Sequence, residues 1–242
     1  MIDLDGAAAI VTGAGRGIGR AIALALAAEG ANLVLTARTK SEIDQTAAAA
    51  RDSGSRVLAI PGDAACEETA QTVVKAAMDE LGAVDVLVNN AGFAITSPTY
   101  KTEVEDWDRV IAVNLRGPFL FARAVAGQMA DRGSGVIVGI SSAAGLRAAP
   151  VHSMGAYAAS KFGLVGFDES LAESLREFGV RVFTVCPGPV SDAGASARRE
   201  PPPKPNPRSV TSADVADAVL FTIKSLPLAA SGRVIDLYQP TF

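Results

Sequence analysis

The sequence predicts an α/β fold, namely a doubly wound, mostly seven-stranded parallel sheet with helices on both faces. Strand-like and helix-like segments alternate along almost the whole chain. The strand-like segments are continuously apolar, as expected when both faces of a parallel sheet are covered. Regular β-α-β alternation with right-handed crossovers then produces a doubly wound sheet. Because no internal repeat or linker is present, we assign residues 1–242 to a single domain.

Seven short apolar runs predict the strands, and alanine- and leucine-rich stretches between them predict the helices. The strands cover residues 8–12, 32–36, 57–60, 84–89, 136–141, 180–186 and 233–238. The first helix runs from the glycines after the first strand to about residue 29. The others cover about 41–51, 67–81, 106–130, 157–178 and 212–224.

The composition is typical of a globular protein with a sizeable core. Hydrophobic residues make up 49% of the chain and charged residues 20%, and the formal net charge is -4. Nucleic acids and anionic membranes both favour basic surfaces, so this charge argues against either as the main partner. We therefore expect no nucleic-acid or membrane partner.

The start of the chain and its cysteines predict a reducing, cytoplasmic location. Residues 1–5 are acidic and lack the basic region and apolar stretch of a signal peptide. No apolar run reaches the roughly eighteen residues needed to span a bilayer. Cys66 and Cys186 form no disulfide framework, and we expect Cys186 to be a buried packing residue rather than a reactive thiol.

A proline-rich segment, residues 201–207, interrupts the regular order. Its prolines exclude a helix or a central strand. The segment is either a stiff surface loop or part of a lid, since ligands of open α/β sheets bind outside the carboxyl ends of the strands. We place a substrate loop at about residues 190–210. Within it we expect a mobile flap from about Ser191 to Arg199, whose Arg198 and Arg199 either meet an anionic group or are simply solvated.

Glycines follow the first strand at the spacing of a nucleotide-binding turn. Residues 12–19 read TGAGRGIG, which fits Gly-x-x-x-Gly-x-Gly. Glycines allow a tight turn and close approach of a pyrophosphate, and the following helix presents free N–H groups to that anion. An ordinary tight turn would not require three glycines at this spacing. The predicted cofactor contacts in this loop are Gly13, Gly15, Arg16, Gly17, Ile18 and Gly19.

The end of the second strand indicates which dinucleotide binds. An NAD site places Asp or Glu there, about twenty residues beyond the glycine loop, on the ribose 2′-OH. This chain has Ala37 and Arg38 instead. A guanidinium pairs with a 2′-phosphate that a carboxylate would repel, and Arg16 could approach the same phosphate. We therefore favour NADP(H) over the alternative that both arginines are only solvated.

Tyr157 and Lys161 form a candidate acid/base pair. They lie four residues apart in a helix-forming stretch, on neighbouring parts of one helix face. A nearby ammonium favours phenolate, so we expect Lys161 to lower the pKa of Tyr157 from about 10 toward working pH. Such a tyrosine suits proton exchange with a carbonyl or alcohol oxygen. Alone, this motif is more often a surface pair than a site.

Polar residues near neighbouring strand ends strengthen that interpretation. Ser142 follows the fifth strand and Asn90 follows the fourth, at the edge where such folds place their sites. Asn114 lies amid apolar helix positions, where asparagine is unfavourable unless its side chain is paired.

Across nearly its full length the chain resembles the classical short-chain dehydrogenase/reductase family. The set is highly specific in this order and spacing, although each feature is modest alone. The resemblance implies a single Rossmann-like domain and an NADP(H)-dependent ketone reductase or alcohol dehydrogenase. The matching features are the Gly13/Gly17/Gly19 loop, Asp63, Asn89-Asn90-Ala91-Gly92, Asn114, Ser142, Tyr157-x-x-x-Lys161 and Pro187-Gly188.

The resemblance also implies roles for individual residues. Ser142 would orient the substrate carbonyl and Tyr157 would donate its proton. Lys161 would bind the nicotinamide ribose and tune Tyr157, while Asn114 would support a water that relays protons to Lys161. No metal site is implied. The implied cofactor contacts beyond the glycine loop are Arg38, Asp63 at the adenine, Ala64, Asn90 in the cofactor trough, Ala91, Gly92, Tyr157, Lys161, Pro187, Gly188 and Val190.

Three features depart from the family pattern. Four positions beyond Gly188, where the family often has threonine near the nicotinamide amide, stands Asp192, preceded by Ser191. Either Ser191 substitutes or that contact is missing. Ala64 replaces a residue that is commonly a larger aliphatic. The slightly long loop after the fifth strand holds His152, which is either solvated or part of the substrate pocket.

The substrate stays open among carbonyl compounds. The general resemblance is to 3-oxoacyl-[acyl-carrier-protein] reductases and to reductases of secondary metabolism. An acyl-carrier thioester would favour a basic docking patch, for which Arg132, Arg147, Arg198 and Arg199 are candidates. Phe178 stands where those reductases often have a basic residue, which lowers the case for a carrier-bound substrate.

Two other functional classes are weighed against a reductase, and the sequence disfavours both. A non-catalytic NADP(H)-binding regulatory protein on the same fold would be expected to lose Tyr157 or Lys161, and both are present. An extended epimerase or dehydratase would need a larger C-terminal domain than 242 residues allow.

The resemblance implies a homotetramer, with the helices over about 106–130 and 157–178 packed against their symmetry mates.

Overall fold

The computed structural model describes residues 2–147, 153–192 and 209–238. In these residues seven strands form one parallel sheet in the order β3-β2-β1-β4-β5-β6-β7. The predicted doubly wound sheet in a single Rossmann-like domain is confirmed. The strands are β1 (Ala8–Thr12), β2 (Asn32–Ala37), β3 (Val57–Pro61), β4 (Val86–Asn89), β5 (Gly135–Ile140), β6 (Val180–Pro187) and β7 (Val234–Leu237).

Helices connect the strands, and their predicted bounds hold to within a few residues. They are α1 (Gly17–Ala28), α2 (Lys40–Arg51), α3 (Glu67–Leu81), α4 (Val104–Ile111), α5 (Gly117–Arg132), α6 (Gly155–Leu175) and α7 (Ser212–Ser225).

The central strands are buried on both faces, which is why their sequences are continuously apolar. In β1, Ile10 packs with residues of α3, α5 and α6, whereas its neighbours Ala9 and Val11 pack with residues of α1, α2 and α7. Burial of this apolar surface, at roughly 25 cal/mol per Å², is the main favourable contribution to folding. The helices thus form two layers, with α1, α2 and α7 on one face and α3, α5 and α6 on the other.

The direction of chain progression reverses between β1 and β4, which are hydrogen-bonded neighbours. From β1 the chain continues to β2 and β3 on one side, and from β4 it continues to β5, β6 and β7 on the other. The loops that leave the carboxyl ends of β1 and β4 therefore diverge and open a crevice, where sheets of this kind bind ligands. Both the glycine loop and Asn90 lie at this point.

Two helix predictions differ from the structure in detail. The segment predicted as one helix over 106–130 is helical over the whole of Val104–Arg132. Within it, Ala112–Arg116 forms a π-helical turn in place of α-helix. Such turns occur frequently at functional sites. The helix predicted over 157–178 ends at Leu175 and is followed by a 3₁₀ turn, Arg176–Phe178.

The stretch Val104–Arg132 is long and apolar enough, by length and composition, to cross a membrane. Its most apolar part has a mean hydropathy of 1.3, and 44% of that part is buried inside the fold. Phe121, Val125 and Met129 pack in the apolar core on one face of the sheet. The apolar character is therefore that of a core helix.

Candidate active site

The glycine loop between β1 and α1 is shaped by two positive φ angles and one close contact. Gly13 and Gly17 have φ of +65° and +54°, in the left-handed region that favours glycine. A Cβ on Gly19 would overlap the carbonyl oxygen of Gly13 and the Asn90 side chain. Arg16 precedes α1 without a side-chain capping hydrogen bond, which leaves the first N–H groups of the helix available to an anion.

Asn90 and Thr12 hold this loop against the end of β4. The Asn90 amide donates to the carbonyls of Thr12 at 2.9 Å and Gly13 at 3.2 Å. The Thr12 hydroxyl accepts from the N–H groups of Asn90 and Ala91, both at 3.0 Å. Asn90 thus positions the glycine loop. The sequence analysis expected it only to line the cofactor trough. Thr12 was not predicted as a site residue, although a polar residue that ends an apolar strand directly before a glycine was an available signal.

Gly15 and Ile18 contact the surrounding elements rather than open space. A Cβ on Gly15 would lie 2.9 Å from the Cβ of Glu42, so α2 packs directly against the loop. The Ile18 side chain is partly buried against the apolar core. Its predicted cofactor contact stays a prediction.

Two exposed arginines lie where a 2′-phosphate was predicted. Arg38 follows Ala37, the last residue of β2, and is exposed. A guanidinium nitrogen of Arg16 lies 3.9 Å from a Glu42 carboxylate oxygen, and 61% of the Arg16 side chain is exposed. An exposed pair at this distance contributes at most about 1 kcal/mol, so it is easily exchanged for a stronger anion.

Asp63 and Ala64 lie beyond the end of β3. The Asp63 carboxylate is exposed and accepts from the N–H of Ala65 at 3.0 Å. The carbonyl of Ala64 would lie 2.8 Å from a Cβ on Gly117, so this loop packs against the start of α5. The predicted contact of Asp63 with adenine stays a prediction.

Asn114 is fully buried in the π turn and connects it to two other segments. Its Nδ2 donates to the Phe93 carbonyl at 2.9 Å and to Ser160 Oγ at 3.0 Å. Its Oδ1 accepts from the Phe93 N–H at 3.0 Å. The Ser160 hydroxyl in turn donates to the Tyr157 carbonyl at 2.7 Å. The expected pairing of this asparagine is confirmed, and the pairing joins the π turn to the first turn of α6.

Ala91 and Gly92 bring the β4 loop to the same point. The Ala91 N–H is bound by Thr12. A Cβ on Gly92 would lie 3.2 Å from Asn114 Oδ1 and 3.4 Å from Lys161 Nζ. The absence of a side chain at Gly92 therefore lets the β4 loop, the π turn and α6 converge.

Lys161 is buried, with 4% of its surface exposed. Its Nζ donates to the Ile140 carbonyl at the end of β5 at 2.7 Å and lies 5.8 Å from the centre of the Tyr157 ring. Burial lowers the pKa of Lys161 to about 8, and a negative charge at Cys186 or Asp168 acts in the opposite direction. The ammonium group thus titrates close to the pH at which most enzymes work.

The expected lowering of the Tyr157 pKa is wrong for this arrangement. Burial raises the pKa of Tyr157, and hydrogen bonding with Ser142 opposes only part of that effect. The ammonium of Lys161 is directed to the Ile140 carbonyl rather than to the phenol. The phenol is therefore protonated at neutral pH, which is the form that donates a proton. Ser142 also accepts from the Ala144 N–H at 3.2 Å, which holds it at the end of β5.

Pro187, Gly188 and Val190 continue from β6 toward the substrate loop. Pro187 is the last residue of β6. A Cβ on Gly188 would lie 2.7 Å from the Tyr238 ring, so only glycine lets the chain pass there. Val190 pairs with Val210 in an isolated parallel bridge.

Asp192 and Ser191 are both engaged in local structure. Asp192 accepts from the N–H of Ser212 at 2.7 Å, at the start of α7. The N–H and hydroxyl of Ser191 both donate to the Val210 carbonyl, at 2.9 and 3.3 Å. This arrangement favours a missing family contact over its replacement by Ser191.

Several predictions fall outside the described residues. These are His152, the flap beyond Asp192 and the proline-rich segment, together with Arg198 and Arg199.

Two of the four arginines named as candidates for a basic docking patch lie in the described residues, and they do not converge. Arg132 pairs with Asp85, just before β4 begins, whereas Arg147 follows the carboxyl end of β5 and pairs with Asp236 at 2.8 Å. Because the strands are parallel, these two arginines lie at opposite edges of the sheet. One surface cannot contain both.

A buried carboxylate near Lys161 was missed by the sequence analysis. Asp168 is 1% exposed and accepts from the Thr184 hydroxyl at 2.8 Å. Burial raises the pKa of Asp168 to about 7. An acid on the face of α6 that carries Lys161, seven residues on, was the available signal. Burial also raises the pKa of Cys186 to about 11, which agrees with its predicted packing role.

Comparisons with known proteins agree with this geometry. The family described as short chain dehydrogenase matches residues 7–202. The chain is 38% identical over 189 residues to a 3-oxoacyl-[acyl-carrier-protein] reductase of a Synechocystis species, over 78% of this chain and 76% of the relative. It is 40% identical over 227 residues to 2-(R)-hydroxypropyl-CoM dehydrogenase of Xanthobacter autotrophicus, over 88% of this chain and 89% of the relative.

The crystal structure of levodione reductase superposes on the chain with a TM-score of 0.89 at 27% identity, over 97% of this chain and 96% of that one. Fold, site geometry and these likenesses agree. The chain therefore belongs to the short-chain dehydrogenase/reductase family, whose members are oxidoreductases that act on CH–OH or carbonyl groups with a nicotinamide cofactor.

Proposed function

We propose that the protein interconverts a ketone and a secondary alcohol by hydride transfer with NADP(H), and that Tyr157 is the general acid/base. The observation that carries the proposal is the half-buried Tyr157 phenol beside Ser142, with Lys161 one helical turn away. A phenol that is protonated at neutral pH can donate to a carbonyl oxygen. This arrangement favours carbonyl reduction at neutral pH.

The residues around the crevice fit a dinucleotide that carries a 2′-phosphate. No side chain stands at Gly13 or Gly19, because a Cβ at either would meet the neighbouring backbone or Asn90. The glycine loop would hold the pyrophosphate, and the exposed Arg16 and Arg38 would hold the 2′-phosphate. When bound, the cofactor supplies or accepts the hydride.

Ser142 and Tyr157 would hold the substrate carbonyl oxygen between two hydroxyl groups. Ser142 donates a hydrogen bond to that oxygen. The O–H bond of Tyr157 breaks as its proton moves to the substrate oxygen, which leaves a phenolate. Protonated Lys161 donates to Ile140 and not to the phenol, but with its Nζ 5.8 Å from the centre of the Tyr157 ring its charge would still offset that of the phenolate. Of the three N–H donors on Lys161, the described residues engage one, through Ile140, so two are available to a ribose hydroxyl and a water.

Asn114 would support the return of a proton to Lys161 by holding a relay water, and not by donating a proton itself. Both of its amide N–H groups are engaged, by Phe93 and Ser160. Its Oδ1 holds one hydrogen bond, from Phe93, and an amide oxygen can accept two. A relay water can therefore donate to Oδ1 beside Lys161.

The proposed substrate is a small carbonyl compound or its alcohol. One relative is named for a 3-oxoacyl carrier-protein substrate and another for a hydroxypropyl-CoM substrate. An acyl-carrier thioester is therefore the second candidate. Among the described docking candidates, Arg147 lies at the carboxyl edge but is already paired with Asp236, which favours the small molecule. A non-catalytic NADP(H)-binding protein is the alternative class, and the intact Tyr157–Lys161 pair argues against it.

The role of Tyr157 predicts that Tyr157→Phe loses turnover while the fold survives. The substitution removes only the hydroxyl, so we expect turnover to fall by about 10²-fold or more. Steady-state assays with NADPH and a panel of ketones measure the loss, and thermal unfolding checks the fold. Turnover near that of the wild type would exclude Tyr157 as the proton donor.

The basic end of β2 predicts a preference for NADPH over NADH. Replacing Ala37 by Asp together with Arg38→Leu places a carboxylate where the phosphate would bind, so the preference should be lost or inverted. The ratio of kcat/KM for the two cofactors measures it. Equal use of both cofactors by the unmodified protein would contradict the assignment.

The close contact at Gly19 predicts that Gly19→Ala destabilises the protein and weakens NADPH binding. The added methyl overlaps Gly13 and Asn90, and overpacking of this kind typically costs about 1–3 kcal/mol. Gly127→Ala is the matched control. Gly127 lies in α5 with nothing within 4 Å of its added Cβ, so that variant should gain about 0.5–1 kcal/mol. Thermal unfolding and NADPH titration compare them; equal behaviour of the two variants would disprove the contact.

We also propose a homotetramer assembled through α4, α5 and α6. Trp107, Phe119 and Phe162, on these three helices, are 40%, 44% and 44% exposed. Burying such aromatic side chains between copies is favourable. Sedimentation at micromolar concentration should show a tetramer, and Phe162→Glu should weaken it. A monomeric wild-type protein at that concentration would contradict the proposal.

A further inference from the structure

We infer that Asp168 is a positioning residue for the proton chemistry of this site, because its buried carboxylate keeps Lys161 charged. The inference rests on the proposed function, in which protonated Lys161 stabilises the Tyr157 phenolate. Asp168 does not touch the reacting atoms. It acts through Lys161, on the same helix.

Asp168 is a residue of α6, and its side chain is packed between this helix and the sheet, on the helix face that carries Lys161. Seven residues separate the two, which is close to two helical turns. Its Oδ2 accepts from Thr184 on β6 at 2.8 Å. A Cβ on Gly139 of β5 would overlap the same oxygen. The carboxylate therefore occupies space that β5 leaves open through a glycine.

The carboxylate has fewer partners than its burial requires. Asp168 is 1% exposed, and its Oδ1 accepts no hydrogen bond from any residue of the described chain. A buried anion needs partners or an opposing charge to offset its lost hydration. Asn or Ser could also fill this space with a smaller desolvation cost. What Asp168 adds is a negative charge, and Lys161 is the opposing charge that acts on it.

The other groups that face Asp168 do not supply this charge. Thr184 on β6 is neutral. Cys186, two residues further along β6, has its pKa raised by burial to about 11, so its thiol stays neutral at the pH of catalysis. From β5 the facing residue is Gly139, and the buried residues of α5 are apolar. Burial raises the pKa of Asp168 to about 7, against the Thr184 hydrogen bond and the charge of Lys161, so above neutral pH Asp168 is the anion whose charge acts on Lys161.

Removing this charge lowers the pKa of Lys161. In the wild type, Asp168 acts against the burial that lowers the Lys161 pKa to about 8. Without the carboxylate, Lys161 loses its proton at a lower pH. The fall of kcat on the alkaline side of its pH profile, the alkaline limb, therefore also begins at a lower pH. If the Lys161 pKa falls by about one unit, about tenfold less lysine is protonated at pH above both values.

The test is the pH profile of kcat for Asp168→Asn, which has nearly the same shape without the charge. Its alkaline limb should move to lower pH by about one unit. Glu169→Gln is the matched control, because it removes an equal charge one residue further on, from an exposed position, and its limb should not move. An unmoved limb in Asp168→Asn overturns the inference. If Tyr157→Phe is inactive in the same assay, the proposed function stands although the inference fails; an active Tyr157→Phe contradicts the proposed function.

A second measurement needs neither substrate nor cofactor. The folded pKa of Asp168 is raised above its unfolded value, so its contribution to stability is complete below the unfolded pKa of about 4 and is lost as pH rises toward about 7. Thermal unfolding of Asp168→Asn should lack that loss. If the pH dependence of unfolding is the same in Asp168→Asn as in the wild type, Asp168 is not the buried ionisable group that the inference requires.

Thr184→Val keeps the test decisive where Asp168→Asn does not fold. It leaves the carboxyl group but removes its donor, so the pKa of Asp168 rises further and Lys161 has a charged neighbour over a narrower pH range. The alkaline limb of kcat should move in the same direction as in Asp168→Asn, by less. An unmoved limb, or one moved to higher pH, contradicts the inference.

Discussion

Helices packed on both faces of one parallel sheet determine where every other feature of this molecule can lie. Such a sheet buries its central strands completely, and the loops at its edges are what remains open to ligands. Parallel strands also end at the same edge. The glycine loop after β1, Asn90 after β4 and Ser142 after β5 are therefore neighbours although they are far apart in sequence.

The reversal of chain direction between β1 and β4 makes this edge a site. Hydrogen bonds between Thr12 and Asn90 join the two strand ends across the crevice. Gly19 has no side chain that would separate them. The same contacts that stabilise the strand ends thus shape the surface on which a pyrophosphate can be bound.

Burial has opposite consequences for the ionisable groups around α6. It raises the pKa of Tyr157 and of Asp168 and lowers that of Lys161, because in each case it disfavours the charged form. The proton donor is thereby kept neutral. The lysine is left with a pKa of about 8, which the carboxylate of Asp168 would keep from falling further. Asp168 and Lys161 act on each other through their charges, so their titrations are linked.

Local sequence patterns and long-range contacts each account for part of the site. The apolar runs, the glycine spacing and the Tyr157–Lys161 interval predicted the strands, the β1–α1 turn and the helix pair, since each depends on neighbours within a few residues. The π turn at Asn114 could not be predicted in this way, because it depends on hydrogen bonds to Phe93 and Ser160.

The sequence by itself determined the fold class, the order of the strands along the chain and the residue types at the edge of the sheet. Apolar periodicity and glycine spacing are local properties, and a parallel sheet follows from their alternation. Only the tertiary structure decided the direction of the Tyr157 pKa shift, the bracing role of Asn90 and the burial of Asp168. Each of these depends on segments that are distant in sequence. Asn90 acts through hydrogen bonds to the end of β1. The other two depend on the exclusion of water, since desolvation is a property of the packed fold rather than of any one segment.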